Sequence, residues 1–214
     1  MYFIELITFY LGYIFLFSSA LGYGFVFNYF LKINFENSNG ILAILGLIFL
    51  TLLAYISSFF THHGYLFNCL VHLLGFIFFI KNCKKIINLR FLIFFISVIF
   101  VGLLISKTHD DFPFYHLQQS LNLSRNKIQI GLSNLDFTNA HHSSIFYLNS
   151  LFFLPKFNYY YFNAPSHIFF TGATLALIEL SKNEKKIVFL KFFSFISVFY
   201  FLLKFTRSAE YGTD

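Results

Sequence analysis

The sequence predicts an all-α protein, a polytopic transmembrane bundle of about six spans with an outer-face loop carrying interfacial or re-entrant helices. Three observations predict it. Of the 214 residues, 57% are hydrophobic and only 11% charged, whereas an ordinary soluble domain carries about 25% charged residues. The apolar residues fall in blocks of roughly 16 to 26, long enough to cross a hydrocarbon core of ~30 Å. Backbone groups in that core must bond within the segment, so the blocks are read as helices.

The first span runs from Ile4 to Leu31 and stops at Lys32. It has no basic stretch before it and is read as retained rather than cleaved. The second runs from Ile41 to Phe60. The turn Thr61-His62-His63-Gly64 leads to a third, Tyr65 to Ile80. Cys69 and Cys83 would lie ~21 Å apart on that helix, which excludes a disulfide between them. A basic stretch with Lys81, Lys84, Lys85 and Arg90 precedes the fourth span, Phe91 to Ser106. The long polar segment 107–144 follows. Ile145 to Leu154 is apolar but reaches only ~15 Å as a helix, which suits a re-entrant or interfacial helix. Asn163 and Pro165 form a cap-and-proline helix start, opening a fifth span from Ala164 to Leu180. After the polar turn Lys182–Lys186, Ile187 to Phe205 is the sixth. The chain divides into N-terminal spans (1–90), a span with its outer loop and return span (91–180), and a further span (181–214). Its end, directly after a span, reads as the N-terminal part of a longer protein. Thirty-six Phe with no Trp and one Met suggests a low-GC genome, bacterial or organellar.

The positive-inside rule orients the bundle. With 81–90 in the cytoplasm, alternation puts Lys32 and the 182–186 turn inside as well. The His62 turn and the whole 107–144 loop fall outside, which in a bacterial inner membrane is the periplasm. All histidines except His72, together with Asp110, Asp111 and Asp136, then lie on or near the outer face. Glu36, Glu179 and Glu184 fall inside near lysines and read as interfacial charge.

The segment Thr108-His109-Asp110-Asp111-Phe112-Pro113-Phe114-Tyr115-His116 emerges directly from the fourth span. Two adjacent carboxylates repel each other and are costly to desolvate. Such a pair suits coordination of a divalent cation, or one carboxylate acting as base while the other orients it. The competing reading is a helix start, where carboxylates are favoured by the first-turn amides; the two readings are compatible. From Pro113, Phe114, Leu117 and Leu121 share one face, as in an amphipathic interfacial helix. Arg125 and Lys127 downstream could meet an anionic headgroup. His141 and His142 precede the short apolar helix. They suit phosphate binding or proton transfer, or else a polar loop with Ser143 or Ser144 as N-cap. His63 and His72 would sit on one helix ~13 Å apart, which cannot supply opposed haem ligands; a helix-to-helix hydrogen bond fits His72. Tyr159-Tyr160-Tyr161 reads as an interfacial belt.

A span, an outer loop opening on acids, an interfacial helix, a Gly-containing stretch, a His-containing stretch and a return to the membrane together resemble the GT-C superfamily. These are polytopic glycosyltransferases that use polyprenyl-phosphate sugars. The matching stretches are His109–His116, Ile130-Gly131-Leu132-Ser133-Asn134-Leu135 and Ser143–Pro155, within about 90–180. The resemblance implies that Asp110 or Asp111 acts as base or metal ligand near the acceptor. It implies that His109, His116, Arg125, Lys127, His141 and His142 line the substrate site, and that membrane lipid and a polyprenyl-phosphate sugar are partners. In that superfamily the acidic loop follows the first span; here it follows the fourth, so the three preceding spans would be an N-terminal addition. A different class stays open: a non-catalytic polysaccharide export or polymerase component, a transporter, or an organellar complex subunit. Nothing in the sequence points to nucleic acid.

Overall fold

A computed structural model describes residues 3–32, 38–105, 110–131, 134, 143–182 and 188–208. Among these it is all-helical, with one isolated bridge between Leu154 and Asn158. Eight α-helices follow in order: α1 (Phe3–Leu31), α2 (Asn39–Ser58), α3 (Tyr65–Asn82), α4 (Leu89–Leu104), α5 (Leu117–Arg125), α6 (Ser144–Leu151), α7 (Ala164–Lys182) and α8 (Val188–Leu203). Short turns of tighter or wider helix occupy Cys83–Lys85, Phe112–His116, Tyr159–Asn163 and Phe205–Arg207.

The helix ends follow local chemistry. The Ser38 hydroxyl accepts the Ile41 N–H (3.2 Å) and opens α2. Asn88, in the left-handed region at φ 50°, accepts the Phe91 N–H (3.1 Å) and opens α4. Side-chain acceptors there satisfy amide donors that the helix itself leaves orphaned.

Three helices are long and apolar enough to cross a membrane: α1, α2, and α3 with its short extension to Lys85. α4 and α8 are apolar but have 16 residues each, about 24 Å of helix. The apolar side chains point outward as well as inward. Phe94 is 65% exposed, Phe189 74% and Phe192 63%. α8 buries only Ser194, so its phenylalanines face outward. Such a surface suits lipid rather than water.

α1 is the centre of the bundle and packs on α2 and α3; α2 packs also on α7 and α6, and α7 on α8 and α4. The α1 interfaces are made by small residues. A Cβ at Gly22 would overlap the Gly75 carbonyl, and one at Gly46 would overlap the Ala20 carbonyl. Lipid tails are as apolar as leucine, so helices gain little by hiding leucines from them; close backbone packing holds such a bundle together.

Alternation gives the bundle two ends. At one, Lys32, Lys81, Lys84, Lys85, Arg90 and Lys182 lie in or next to the terminal turns of the helices and are exposed. Glu179 of α7 is more than interfacial charge there. Its carboxylate accepts from Ser38 Oγ (2.7 Å), the Asn39 N–H (3.2 Å) and the Gly40 N–H (3.3 Å), capping α2. The other end carries the His62–His63 turn, α5, α6 and the start of α7.

Candidate functional site

The acid-bearing segment lies at that second end. Asp110 is exposed and Asp111 half-buried. Asp111 stands at the head of the wide turn Phe112–His116, with Pro113 in its first positions. Its carbonyl accepts the N–H groups of Phe114 (3.1 Å) and Tyr115 (3.3 Å), while its side chain makes no cap bond to that turn. The turn runs without a break into α5, so 112–125 is one helical run. Pro113 and the spacing of Phe114, Leu117 and Leu121 made this helix legible from sequence.

Its orientation departs from an ordinary amphipathic helix. Phe114 is 65% exposed, whereas His116, Gln119, Ser120, Leu123 and Ser124 are buried against the protein. Of the apolar Phe114, Leu117 and Leu121 face, Phe114 points outward and the two leucines are half-buried. His116 is fully enclosed, with its ring against Tyr115 (4.2 Å between centroids) and Phe146 (5.1 Å). Arg125 and Lys127 are exposed at the far end. Fourteen residues of helix separate Asp111 from Arg125, roughly 20 Å, farther than a single sugar bridges. The carboxylates and these two cations therefore cannot grip one sugar phosphate together. His109, Asp136, His141 and His142 lie outside the described residues. Among the described residues no three His, Cys, Asp or Glu side chains converge as a metal site.

Beneath α5 lies a polar layer that sequence spacing did not reveal. His63 is buried. Its Nε2 lies 2.9 Å from Ser57 Oγ and its Nδ1 2.6 Å from Ser150 Oγ. Ser150 Oγ donates to the Tyr147 carbonyl (2.7 Å), so it accepts from Nδ1–H; the single proton of Ser57 then goes to Nε2 (2.9 Å) in preference to the more distant Ala54 carbonyl (3.2 Å). The imidazole is thereby held neutral. Burial, and then the neighbouring His62, push its pKa down to about 4. The His63 N–H donates to the Leu123 carbonyl of α5 (2.9 Å). Asn68 Nδ2 donates to the carbonyls of His63 (2.7 Å), Ser150 (2.8 Å) and Phe153 (2.9 Å). One turn thus ties α2, α3, α5 and α6 together.

Two further histidines do the same deeper in the bundle. His72 Nε2 lies 3.2 Å from the Leu151 carbonyl and its Nδ1 3.1 Å from Ser19 Oγ of α1, the inter-helix role its position suggested. His167 Nε2 lies 3.0 Å from the Ile99 carbonyl of α4, and its Nδ1 2.6 Å from the Tyr13 hydroxyl of α1. In each case the carbonyl requires the Nε2–H tautomer, and the hydroxyl supplies the proton to Nδ1. α6 is held by the bonds of His63, Asn68 and His72, and Phe146–Leu151 are all buried.

A cavity of about 530 Å³ opens between the start of α1, the end of α4 and the 156–163 segment. Phe9, Leu103, Leu104 and Phe157 give it apolar walls, and Glu5, Lys156, Tyr160 and Asn163 line it with polar groups.

No curated protein and no solved structure matches the chain. A family profile described as a domain of unknown function, DUF8201, matches residues 6–210. The chain belongs to that family.

Proposed function

We propose that this protein is a membrane glycosyltransferase of GT-C-like organisation, which takes a sugar from a polyprenyl-phosphate donor at the outer face of a bacterial inner membrane. The observation that carries the reading is the Asp110–Asp111 pair, one exposed and one half-buried, at the head of a helical run, at the bundle end that holds an amphiphilic cavity. The cavity's apolar walls suit the start of a prenyl chain, and Glu5, Tyr160 and Asn163 suit a sugar at its mouth. Asp110 or Asp111 takes the acceptor hydroxyl proton. The acceptor oxygen bonds to the sugar's anomeric carbon as that carbon's bond to phosphate oxygen breaks, and polyprenyl phosphate leaves. Arg125 and Lys127, roughly 20 Å from Asp111 along the helix, bind the lipid surface or a remote part of the acceptor instead of the reacting phosphate. The segment 107–144 is periplasmic in this reading, and α6 is re-entrant.

The test is sugar transfer from a polyprenyl-phosphate donor by the full-length protein in membranes. Asp110→Asn and Asp111→Asn are each compared with the parent. Loss of transfer in at least one, with the protein still inserted, supports the reading; parental activity in both ends the catalytic role.

A second reading is favoured by one observation. His63, His72 and His167 are all consumed as ties between helices, as expected of a non-catalytic subunit whose function is to hold a shape. It predicts no transfer by the parent protein with any lipid-phosphate sugar.

A further inference from the structure

The turn Pro155-Lys156-Phe157-Asn158 stands between two hollows. One is the cavity already described. The other is a groove of about 430 Å³ between α1 and α3, lined by Leu11, Gly12, Phe15, Cys69, Leu73 and Leu154 and closed at its mouth by Thr8 and Lys156. Its origin is geometric. Gly22 and Gly75 bring α1 and α3 into backbone contact near the lysine end. Towards the other end Phe15 and Phe76 (5.4 Å between ring centroids) stand between the helices, and the groove opens above them. The turn bridges the gap at the top. The Tyr65 hydroxyl of α3 donates to Asn158 Oδ1, and Lys156 Nζ donates to Thr8 Oγ1 of α1 (3.4 Å). Lys156 is itself held in the left-handed region at φ 73°, a conformation a lysine adopts only when its surroundings hold it there.

We propose that this groove holds one acyl chain of an anionic phospholipid, with the headgroup phosphate seated on Lys156, whose ammonium is steadied by Thr8 Oγ1, the Thr8 proton going to the Ile4 carbonyl (2.7 Å). The lining is almost wholly apolar, which excludes a sugar or a free nucleotide. Its polar groups are confined to one end, where a headgroup would lie beside the interfacial tyrosines Tyr159 and Tyr160. The Lys156 ammonium, exposed and 5.5 Å from the Phe157 ring centroid, supplies the complementary charge. The lipid's chain gains little by leaving the bilayer for an equally apolar groove. Selectivity therefore comes from the headgroup, and one lysine at the surface corresponds to a preference of roughly five-fold for an anionic over a zwitterionic lipid. This site is independent of sugar transfer and stands or falls separately.

The chain carries its own probe. Cys69 lines the groove, while Cys83 follows α3 at the lysine end, and both thiols are free. The purified full-length protein is placed in neutral detergent micelles doped with phosphatidylglycerol or with phosphatidylcholine of the same chains. Alkylation by N-ethylmaleimide is followed at each cysteine by peptide mass spectrometry. Phosphatidylglycerol is expected to protect Cys69 at roughly five-fold lower concentration than phosphatidylcholine and to leave Cys83 unchanged. Lys156→Gln should remove the difference and Lys156→Arg should keep it, which separates loss of the charge from disturbance of the turn. Equal protection by both lipids, or a preference that survives Lys156→Gln, overturns the proposal. Protection by glycerol phosphate alone overturns it too, since the site would then bind a free anion and need no chain.

Discussion

His63 and Ser150 stand 87 residues apart in the sequence and 2.6 Å apart in the structure, imidazole Nδ1 to hydroxyl. The contact locks the short α6 to the turn between α2 and α3. Replacing His63 by Ala removes this bond and the one to Ser57 and leaves a void under α5. Ser150 keeps its carbonyl partner at Tyr147 and the released Ser57 hydroxyl turns to the Ala54 carbonyl (3.2 Å), so the loss is mostly packing and ties. The expected cost is about 2–4 kcal/mol. Ser150→Ala strands the buried Nδ1–H and should cost about 1–3 kcal/mol. Thermal unfolding in detergent, followed by far-ultraviolet circular dichroism because the chain has no tryptophan, measures both. A parental midpoint for His63→Ala would contradict the tie.

The same residue makes stability depend on pH. His63 is neutral in the folded protein, with its pKa lowered to about 4 from the ordinary 6.5 by burial and by His62. Between those values the unfolded chain carries a proton there that the folded chain does not. Stability therefore rises with pH across this window and is lost as pH falls from 6.5 towards 4. Complete traversal is worth on the order of 3 kcal/mol. His63→Asn should flatten this part of the curve. An unfolding midpoint equally acid-sensitive in that variant would assign the effect elsewhere.

Gly46 faces the Ala20 carbonyl with no room for a Cβ. Gly46→Ala must push α1 from α2, at about 1–3 kcal/mol by analogy with overpacked cores, and Gly46→Leu should prevent the pair from forming. Gly22 and Gly75 act together, so leucine at either should be as damaging as at both. The measurement is recovery of monodisperse protein from detergent, and ordinary yields of Gly46→Leu would refute the interface.

The all-α architecture was legible because lipid enforces it. The blocks ending at Lys32 and starting at Tyr65 match helix ends closely, since charge and turn residues stop an apolar run abruptly. The helix opened by Pro113 was legible for the same reason. Its direction of burial was not. Apolar periodicity identifies a face but not what that face meets, and here Phe114 points outward while His116 and Gln119 are buried. The histidine layer was also hidden. His63, Ser57 and Ser150 come from three segments, and no local spacing announces a bond between side chains 87 residues apart. Of the candidate site, Asp110, Arg125 and Lys127 are exposed and Asp111 is half-buried. Only the length of the intervening helix shows that they cannot act on one phosphate.

That separation makes a kinetic prediction within the transferase reading. Where Asp111 is the base of the pair, Asp111→Asn should lower kcat at least a hundred-fold, the range for loss of a general base. Arg125→Gln and Lys127→Gln should raise KM and leave kcat near parental, because they touch no reacting atom. All three residues are at least partly exposed, so their unfolding midpoints should stay close to the parent's. Initial rates against donor and acceptor concentration resolve the two effects. A kcat loss at Arg125 matching that at Asp111 would mean that the helix is broken or bent in the active protein.

Glu179 offers the sharpest stability test at the opposite end. Its carboxylate receives the Asn39 and Gly40 amides and the Ser38 hydroxyl, so one side chain on α7 satisfies the orphan donors of α2. Glu179→Ala leaves those donors to whatever water reaches them and should cost about 1–3 kcal/mol. Glu179→Gln keeps one acceptor oxygen but turns an amide N–H₂ towards other donors and removes the charge favoured at a helix N-terminus, so its cost should be smaller but measurable. Ser38→Ala loses its own bond to the Ile41 N–H as well as the one to Glu179, about 1 kcal/mol. The double variant Glu179→Ala with Ser38→Ala should cost less than the two single losses added, because the two residues share one bond. Strict additivity would show that Glu179 and Ser38 act on α2 separately, and that α7 is held to α2 by its glycine contact at Gly40 and Gly172 instead of by this cap.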